Sequence, residues 1–220
     1  LFFAANLTKL THGAWFPLLI GIIAFTVFTT WQRGRELVSQ QRVRDEGPLP
    51  AFIEQLHAQK PPLTRVPGTA IFLNRGQATA PLALRANVKH NEILHEHVVI
   101  LSIETKPAPH VPTADRIAVE NLGYKDDRID YVTASFGYMD PQNVPDLLPL
   151  IRQSDAESTV DDDHLSYFLS HIELARGHAP GMSRWRKRLF IATSRITADA
   201  AEYFQLPRER TVIMGSRIEL

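Results

Sequence analysis

An uncharged stretch near the start of the chain decides the architecture: residues 15–31 read WFPLLIGIIAFTVFTTW. As a helix this stretch would be about 25 Å long, close to the ~30 Å hydrocarbon core of a bilayer. Trp15 and Trp31 stand at its two ends, and indole side chains favour the interface between membrane and water. The stretch therefore predicts a transmembrane helix.

Two other interpretations of residues 15–31 have to be weighed. A buried core helix of a soluble protein can have the same composition. A signal peptide can as well, but the sequence shows no initiator methionine, no basic n-region and no small-residue cleavage site. Residues 1–7, LFFAANL, look like the tail of a preceding apolar helix, and residues 11–13 look like a turn. We therefore expect residues 1–31 to be the end of a transmembrane helical hairpin, in a fragment preceded by further membrane-embedded sequence.

The flanks of the stretch predict its orientation. On one side lie only Lys9 and His12, whereas the other side carries four arginines: Arg33, Arg35, Arg42 and Arg44. Basic residues accumulate on the cytoplasmic side of membrane helices. Residues 32–220 are therefore predicted to be cytoplasmic, in a multi-pass protein of the inner (plasma) membrane. Within them, residues 32–46 have the composition of a connecting helix, which Gly47 and Pro48 should end.

Charge and cysteine content exclude several classes of protein. Lys and Arg total 24 and Asp and Glu also total 24, so the basic excess typical of nucleic-acid-binding proteins is missing. There are no cysteines, which excludes disulfide scaffolds, thiolate catalysis and cysteine-ligated metal centres.

Residues 47–220 predict a cytosolic α/β domain, a mixed sheet with flanking helices. The strongest strand signal is residues 97–105, HVVILSIET, whose nearly continuous apolar run is typical of a strand covered on both faces. Further strands are predicted at residues 68–73, 116–121, 128–138, 165–174 and 211–220. Helices are predicted at residues 50–59, 81–87, 143–152, 182–196 and 198–204. Such alternation indicates helices packed on the faces of a sheet.

Three segments could carry chemistry. Residues 89–97, KHNEILHEH, contain His90, His95 and His97, but the spacing differs from HExxH, so a polar loop leading into a buried strand is the simpler interpretation. Residues 161–164, DDDH, lack the spaced ligands of a calcium loop and read as a solvated acidic loop. A basic helix could bind anionic headgroups or an acidic patch, or simply be solvated; its cations are Arg184, Arg186, Lys187, Arg188 and Arg195.

Motifs of catalysis and phosphate binding are missing from the sequence: it has no GxSxG, no P-loop and no GxGxxG. We therefore assign no catalytic, cofactor-binding or metal residue, and we expect a protein that is not an enzyme.

Several segments together resemble the KUP/HAK/KT family of potassium uptake transporters, in particular its bacterial, low-affinity Kup-type members. Residues 2–31 followed by RGREL are similar to that family's last transmembrane hairpin and its exit. Similar to the family's cytosolic domain are PGTAIFL (67–73), NVKHNEILHEHVVILSI (87–103), FGYMDPQNVPDLL (136–148), DHLSYFLSHIEL (163–174) and TVIMGSRIEL (211–220). One departure is Ser170-His171, where the family often has Gly-Arg; we expect it to alter a surface contact without changing the fold.

The resemblance implies potassium import driven by a proton gradient, through a bundle of about twelve membrane helices with inverted repeats. It also implies a homodimer through the cytosolic domain, which would serve dimerisation or regulation. The ion ligands of such a fold lie in early helices, so no potassium or proton ligand is expected in this chain. Two alternatives remain open: a membrane-tethered nucleotide-binding or sensor domain, and a membrane-anchored hydrolase that uses the histidines.

Overall fold

The structure is a computed structural model that describes residues 15–124, 127–154, 156, 160, 163–175, 177, 181–194 and 200–219. The first arm of the predicted hairpin and its turn lie outside these residues. The chain divides into two compact units. The first unit comprises residues 1–41, 174–197 and 218–220, and the second comprises residues 42–173 and 198–217.

The predicted transmembrane and connecting helices form one continuous helix, α1, Trp15–Glu46. Its most apolar window has a mean hydropathy of 1.4, and only 6% of that window is buried. Phe25 and Phe28 are 70% and 71% exposed, a display of aromatic side chains that suits lipid and not water. Among the described residues, α1 is the one helix long and apolar enough to cross a membrane. It ends as predicted at Gly47, whose φ of 61° places it in the left-handed region.

The second unit is built around a sheet that has six strands in the part of the chain that the structure describes. These are β1 (Thr64–Asn74), β2 (Ile93–Lys106), β3 (Ile117–Asn121), β4 (Ile129–Gly137), β5 (Leu165–Ala175) and β6 (Thr211–Glu219). The strand order is β3-β4-β2-β1-β5-β6. Strands β4, β2, β1 and β5 run parallel to their neighbours in this series, and β3 is antiparallel to β4. The predicted mixed α/β sheet is therefore confirmed.

The described residues also form six helices and several short turns. After α1 come α2 (Leu49–Ala58), α3 (Leu82–Ala86), α4 (Leu148–Gln153), α5 (Arg184–Ser194) and α6 (Ala200–Tyr203). A π-helical turn, Asn87–Asn91, follows α3 directly. 3₁₀ turns occupy Thr113–Asp115, Pro145–Leu147 and Arg208–Arg210.

Alternate residues of the central strands enter two separate cores. On one face, side chains such as Phe72 and Ile100 pack with Phe52 and Ile53 of α2 and with Leu84 of α3. On the other face, residues of β1, β2 and β4 pack with Leu147, Ile151 and Leu206. Strand β2 lies between β1 and β4, and its residues Val98, Val99, Ile100 and Leu101 are all 0% exposed. The sequence-based assignment of this run to a strand covered on both faces is confirmed.

Several predicted boundaries were wrong. Strand β2 begins at Ile93, so His95 and His97 lie within the strand and the polar loop ends at Glu92. In the first half of the predicted helix 143–152 the structure has a 3₁₀ turn, and α4 starts only at Leu148. On β4, residues of both faces are buried, and even Asp130 is 2% exposed.

A charge placed in the centre of β2 should unfold the α/β domain. Ile100→Asp would bury a carboxylate without a partner, at a cost of several kcal/mol against a typical stability of about 5–15 kcal/mol. Thermal unfolding of the chain in detergent, followed by circular dichroism, should show no cooperative transition for this variant. The matched control is Glu104→Ala on the same strand. Its exposed ion pair with Lys106 should be worth no more than about 1 kcal/mol. An unchanged melting temperature for Ile100→Asp would contradict the central position of β2.

Candidate functional site

Helix α5 packs on α1 directly after the predicted membrane span. Phe190 is 3% exposed, and its ring centroid lies 5.4 Å from that of Trp31. A Cβ at residue 34 would overlap the Phe190 ring. Gly34 is therefore what allows this close approach of α5 to the α1 backbone.

Two of the predicted basic residues form hydrogen bonds that hold α5 in place instead of facing solvent. Arg186 Nε donates to Thr30 Oγ1 at 3.0 Å, and Thr30 is buried. Lys187 is also buried, and its Nζ donates to the Gly177 carbonyl at 3.3 Å. The expectation of one solvated basic face is thus wrong for Lys187, because Lys187 lies on the side of α5 that packs against the protein. Arg184 and Arg188 remain exposed, and Arg195 lies outside the described residues.

The last turn of α1, in the second unit, contains a buried ion pair. Arg42 Nε donates to Glu46 Oε1, and both side chains are buried. The second carboxylate oxygen, Oε2, accepts from Thr79 Oγ1 at 2.5 Å. Sequence reasoning placed Arg42 in the basic flank of the membrane helix. The i, i+4 spacing of Arg42 and Glu46 was the available signal for a pair.

Backbone contacts surround this ion pair. Arg85 of α3 donates to the Glu46 carbonyl at 2.9 Å, and its guanidinium lies 5.0 Å from the centre of the Phe52 ring. The amide of Ala80 donates to the Gly47 carbonyl at 3.1 Å. Residues 42–47 are thus bound to α3 and to the segment before it. The contacts are made by the Glu46 carboxylate, the Arg85 guanidinium and the backbone of Gly47. We call this set of contacts the α1 junction.

The three histidines of residues 89–97 do not converge on one point. His90 lies in the π-helical turn and is exposed, whereas His95 and His97 are two residues apart on β2. Burial lowers the pKa of His95. Burial first, and then the charge of Arg128, lower the pKa of His97. Both imidazoles therefore lose their proton at a lower pH than a free histidine does. No group of three His, Asp or Glu side chains that could hold a metal occurs within the described residues.

The motif FGYMD at residues 136–140 is explained by a turn that sequence reasoning did not foresee. The carboxylate of Asp140 accepts from the amides of Val111 at 2.9 Å and Gly137 at 2.8 Å, and it contacts His110 Nδ1 at 2.7 Å. These hydrogen bonds hold the pKa of Asp140 well below its usual range. A Cβ at Gly137 would overlap the Pro109 carbonyl. The motif therefore joins two loops and leaves Tyr138 exposed.

Near the usual ligand position of a parallel sheet, polar side chains form hydrogen bonds to the protein's own backbone. Strand order changes direction between β1 and β5, and ligands of such sheets bind beyond the carboxyl ends of the strands at this point. Here Ser170 Oγ accepts the amide of Ala83, near the start of α3, at 2.9 Å. Asn74 Nδ2 donates to the carbonyls of Gly76 and Thr79. Ser170 of the Ser170-His171 departure thus makes an internal hydrogen bond, whereas His171 is exposed.

A small cavity lies at the opposite ends of the strands. It measures about 150 Å³, and its lining includes His57, Arg65, Leu94 and Ile129. That is below the roughly 300–1,000 Å³ usual for small-molecule sites. His57 Nε2 lies 3.0 Å from Asp127 Oδ2, and its ring stacks on Tyr124 at 3.9 Å.

Of the predicted acidic loop, Asp163 and His164 form a turn, and residues 161 and 162 lie outside the described residues.

Comparison with known proteins decides the family. The family model described as "K+ potassium transporter C-terminal domain" matches residues 67–220. The chain belongs to the K+ potassium transporter family. Residues 1–36 match the same family's integral membrane domain, which identifies α1 as part of a membrane protein. The resemblance to the KUP/HAK/KT transporters is confirmed.

Individual relatives agree with this assignment. The chain is 63% identical over 220 residues to a "Probable potassium transport system protein Kup" of Rhodococcus jostii, covering 100% of this chain and 34% of the relative. It is 41% identical over 224 residues to a protein of the same description from Cutibacterium acnes, covering 99% of this chain and 34% of the relative. The chain therefore spans about a third of the length of the curated relatives it matches. No solved structure matches it.

The α1 junction should contribute strongly to stability. Glu46→Gln would leave the buried Arg42 without its carboxylate, and breaking a buried pair in this way costs about 3–5 kcal/mol. Thermal unfolding in detergent should show this loss, whereas Glu54→Gln, an exposed carboxylate on α2, should be nearly neutral. The double variant Arg42→Met/Glu46→Leu should recover much of the stability, because no unpaired charge remains. Equal melting temperatures for Glu46→Gln and Glu54→Gln would contradict the role of the pair.

Proposed function

We propose that the chain is the C-terminal part of a secondary-active potassium uptake transporter that couples potassium entry to proton entry. The observation that carries the proposal is the family match over residues 67–220, joined to a helix that displays apolar side chains along its membrane segment. Residues 32–220 are cytoplasmic and the protein lies in the inner membrane. The four arginines after residue 31 support this orientation.

Physical chemistry supports secondary transport. A negative cell interior favours entry of each positive charge by about 2.3 kcal/mol per 100 mV. A co-transported proton adds a second charge and the pH gradient, so potassium can accumulate without ATP. The transported ions meet their ligands in helices upstream of this chain, and we assign no ligand to any residue here.

The proposed role of the cytosolic domain is dimerisation or regulation, not ion binding. We divide the chain into the end of the membrane region at residues 1–31, a connecting segment at residues 32–46 and the cytosolic domain at residues 47–220. The α1 junction supports a regulatory role, because it binds the end of the connecting segment to the domain through Glu46 and Gly47. No break interrupts α1 between its apolar part and this junction.

The alternative of a nucleotide-binding or sensor domain finds less support. Near the position between β1 and β5 where a nucleotide would bind, the Ala83 amide at the start of α3 already donates to Ser170 Oγ. Helix α3 has only five residues, too few to offer a phosphate the dipole of a full helix. The hydrolase alternative is weakened by the separation of His90 from His95 and His97.

Uptake measurements with a chimera test the proposal. The corresponding third of the Rhodococcus jostii relative is replaced by this chain, in cells that lack other potassium importers. The chimera should restore rubidium or potassium uptake, and a protonophore should abolish it. Ending the chimera after Glu46 should lower uptake severalfold and leave the preference for potassium over sodium intact, because selectivity depends on ligands outside the cytosolic domain.

Matched membrane abundance, measured by immunoblotting, is the control for this comparison. A second control carries Glu54→Gln and should transport like the intact chimera. Sodium uptake equal to that of potassium in the truncated chimera would show that the cytosolic domain shapes the ion site. Failure of the intact chimera to import potassium would contradict the proposed function itself.

A cysteine cross-link tests the proposed homodimer. Strand β6 is at the edge of the sheet, and Val212 and Ile213 are 42% and 51% exposed. Edge strands with exposed apolar residues readily pair with a second strand. Because the chain has no cysteine, Ile213→Cys in membranes should yield a disulfide-linked dimer on mild oxidation. Glu54→Cys, exposed on α2, should yield little. Equal cross-linking of both variants would contradict an interface at β6.

A further inference from the structure

Helix α5 presents a face that its packing on α1 leaves uncovered. Arg184, Trp185 and Arg188 are exposed, and Trp185 has 55% of its surface accessible. The spacings of three and four residues place Arg188 next to both Trp185 and Arg184 on the helix surface. The exposed indole next to a guanidinium group combines apolar and cationic surface on one side of the helix. We call these three residues the α5 face.

The attachment of α5 to α1 fixes the depth of this helix relative to the membrane span. Arg186 binds Thr30, and Phe190 contacts Trp31 and Gly34. Each headgroup layer is about 5–7 Å thick beyond the hydrocarbon core, or roughly four residues of α1 at about 1.5 Å each. The contacts of α5 with residues 30–34 therefore put it at the level of the lipid headgroups, next to the interfacial tryptophan.

Charge is distributed unevenly between the two units of this neutral chain. The first unit holds nine Lys and Arg against two Asp and Glu, whereas the second holds fifteen against twenty-two. In the part of α1 that follows Trp31 within the first unit, the acidic residue is Glu36, which pairs with Arg33 at 2.5 Å. Arg35 is exposed nearby in the sequence of α1. The excess of positive charge is therefore concentrated in the first unit, which contains both the membrane segment of α1 and α5.

We propose that the α5 face, together with Arg35, docks on anionic phospholipid headgroups of the cytoplasmic leaflet. The proposal rests on the cytoplasmic orientation proposed above. Guanidinium groups bind phosphate through paired hydrogen bonds, and a tryptophan side chain partitions into the interface. The membrane is favoured over an acidic protein surface because α5 is already held at headgroup depth by Thr30 and Trp31. Basic residues at this depth are attracted to the negative surface of the cytoplasmic leaflet.

A fluorescent probe on α5 tests the docking in the full chain. Ala192 is exposed and lies one turn beyond Arg188, so Ala192→Cys can be labelled uniquely in this cysteine-free chain with an environment-sensitive dye. The protein is placed in nanodiscs of phosphatidylcholine with or without phosphatidylglycerol. With phosphatidylglycerol the emission should shift to the blue and brominated acyl chains should quench it. High salt should reverse both effects.

Charge-reversal variants show whether the arginines cause the effect. Arg184→Glu/Arg188→Glu should lower the preference for phosphatidylglycerol by at least about tenfold, because each basic residue near an anionic surface contributes about fivefold. Arg184→Lys/Arg188→Lys should retain most of it. Lys60→Glu/Arg208→Glu, two exposed cations of the second unit, should behave like the unmodified chain. Circular dichroism of each variant shows that the fold is retained.

Two outcomes would overturn the proposal. A signal that is identical in neutral and anionic nanodiscs would show that headgroup charge is not recognised. A blue-shifted probe emission in lipid-free detergent that disappears in Arg184→Glu/Arg188→Glu would also contradict it. That result would show that an acidic protein surface covers the α5 face instead. Inorganic phosphate at constant ionic strength should not compete with the bilayer. A reporter fused after Leu220 tests the cytoplasmic orientation separately, so that its failure can be distinguished from failure of lipid docking.

Discussion

Three adjacent parallel strands without a polar face impose the architecture of the cytosolic domain. Side chains from both faces of β2 are fully buried, so apolar surface has to be covered above and below the sheet. The chain meets this demand with very short helices, α3 and α4, and with loops that carry Leu147 and Leu206. Such short helices have few apolar contacts of their own, and their conformation depends on the sheet. The strands thus determine where every covering segment lies.

The same constraint accounts for the polar interactions at the margins of the sheet. A short helix cannot satisfy its terminal amides within itself, and Ser170 Oγ supplies an acceptor to α3. Asn74 holds the turn that follows β1, and Asp140 holds the turn that follows β4. These side chains occupy positions at which a nucleotide-binding sheet would present its ligand site. The polar side chains at the carboxyl ends of the strands therefore stabilise the fold through hydrogen bonds within the protein.

Much of the fold could be predicted from local pattern. The uncharged residues 15–31 and the apolar run at residues 98–101 each specify an environment by composition alone, and both predictions agree with the structure. The extension of β2 back to Ile93 could not be foreseen, because His95 and Glu96 have polar side chains and only pairing with β1 makes them a strand. The 3₁₀ turn before α4 was similarly hidden, since Pro145 is compatible with both kinds of helix.

The features of the candidate site were harder to predict because they depend on contacts distant in sequence. The burial of Lys187 depends on which side of α5 packs against the rest of the chain, and basic residues occur on both the buried and the exposed side. Thr79 lies 33 residues from Glu46, and no local sequence pattern predicts their hydrogen bond. The charges at Arg184 and Arg188 were visible in the sequence. Their proposed position at the membrane surface rests on the hydrogen bond between Arg186 and Thr30.

Gly34 has a mechanical consequence for α1. Glycine lowers helix propensity by about 1 kcal/mol relative to alanine, so Gly34 weakens α1 a few residues after Trp31. The Phe190 ring packs against Gly34, so α5 supports α1 at this position. The stiffness of α1 at the membrane surface is thus supplied by a segment that lies about 150 residues later in the sequence. Lifting that segment away would soften the helix before it changed the direction of the helix.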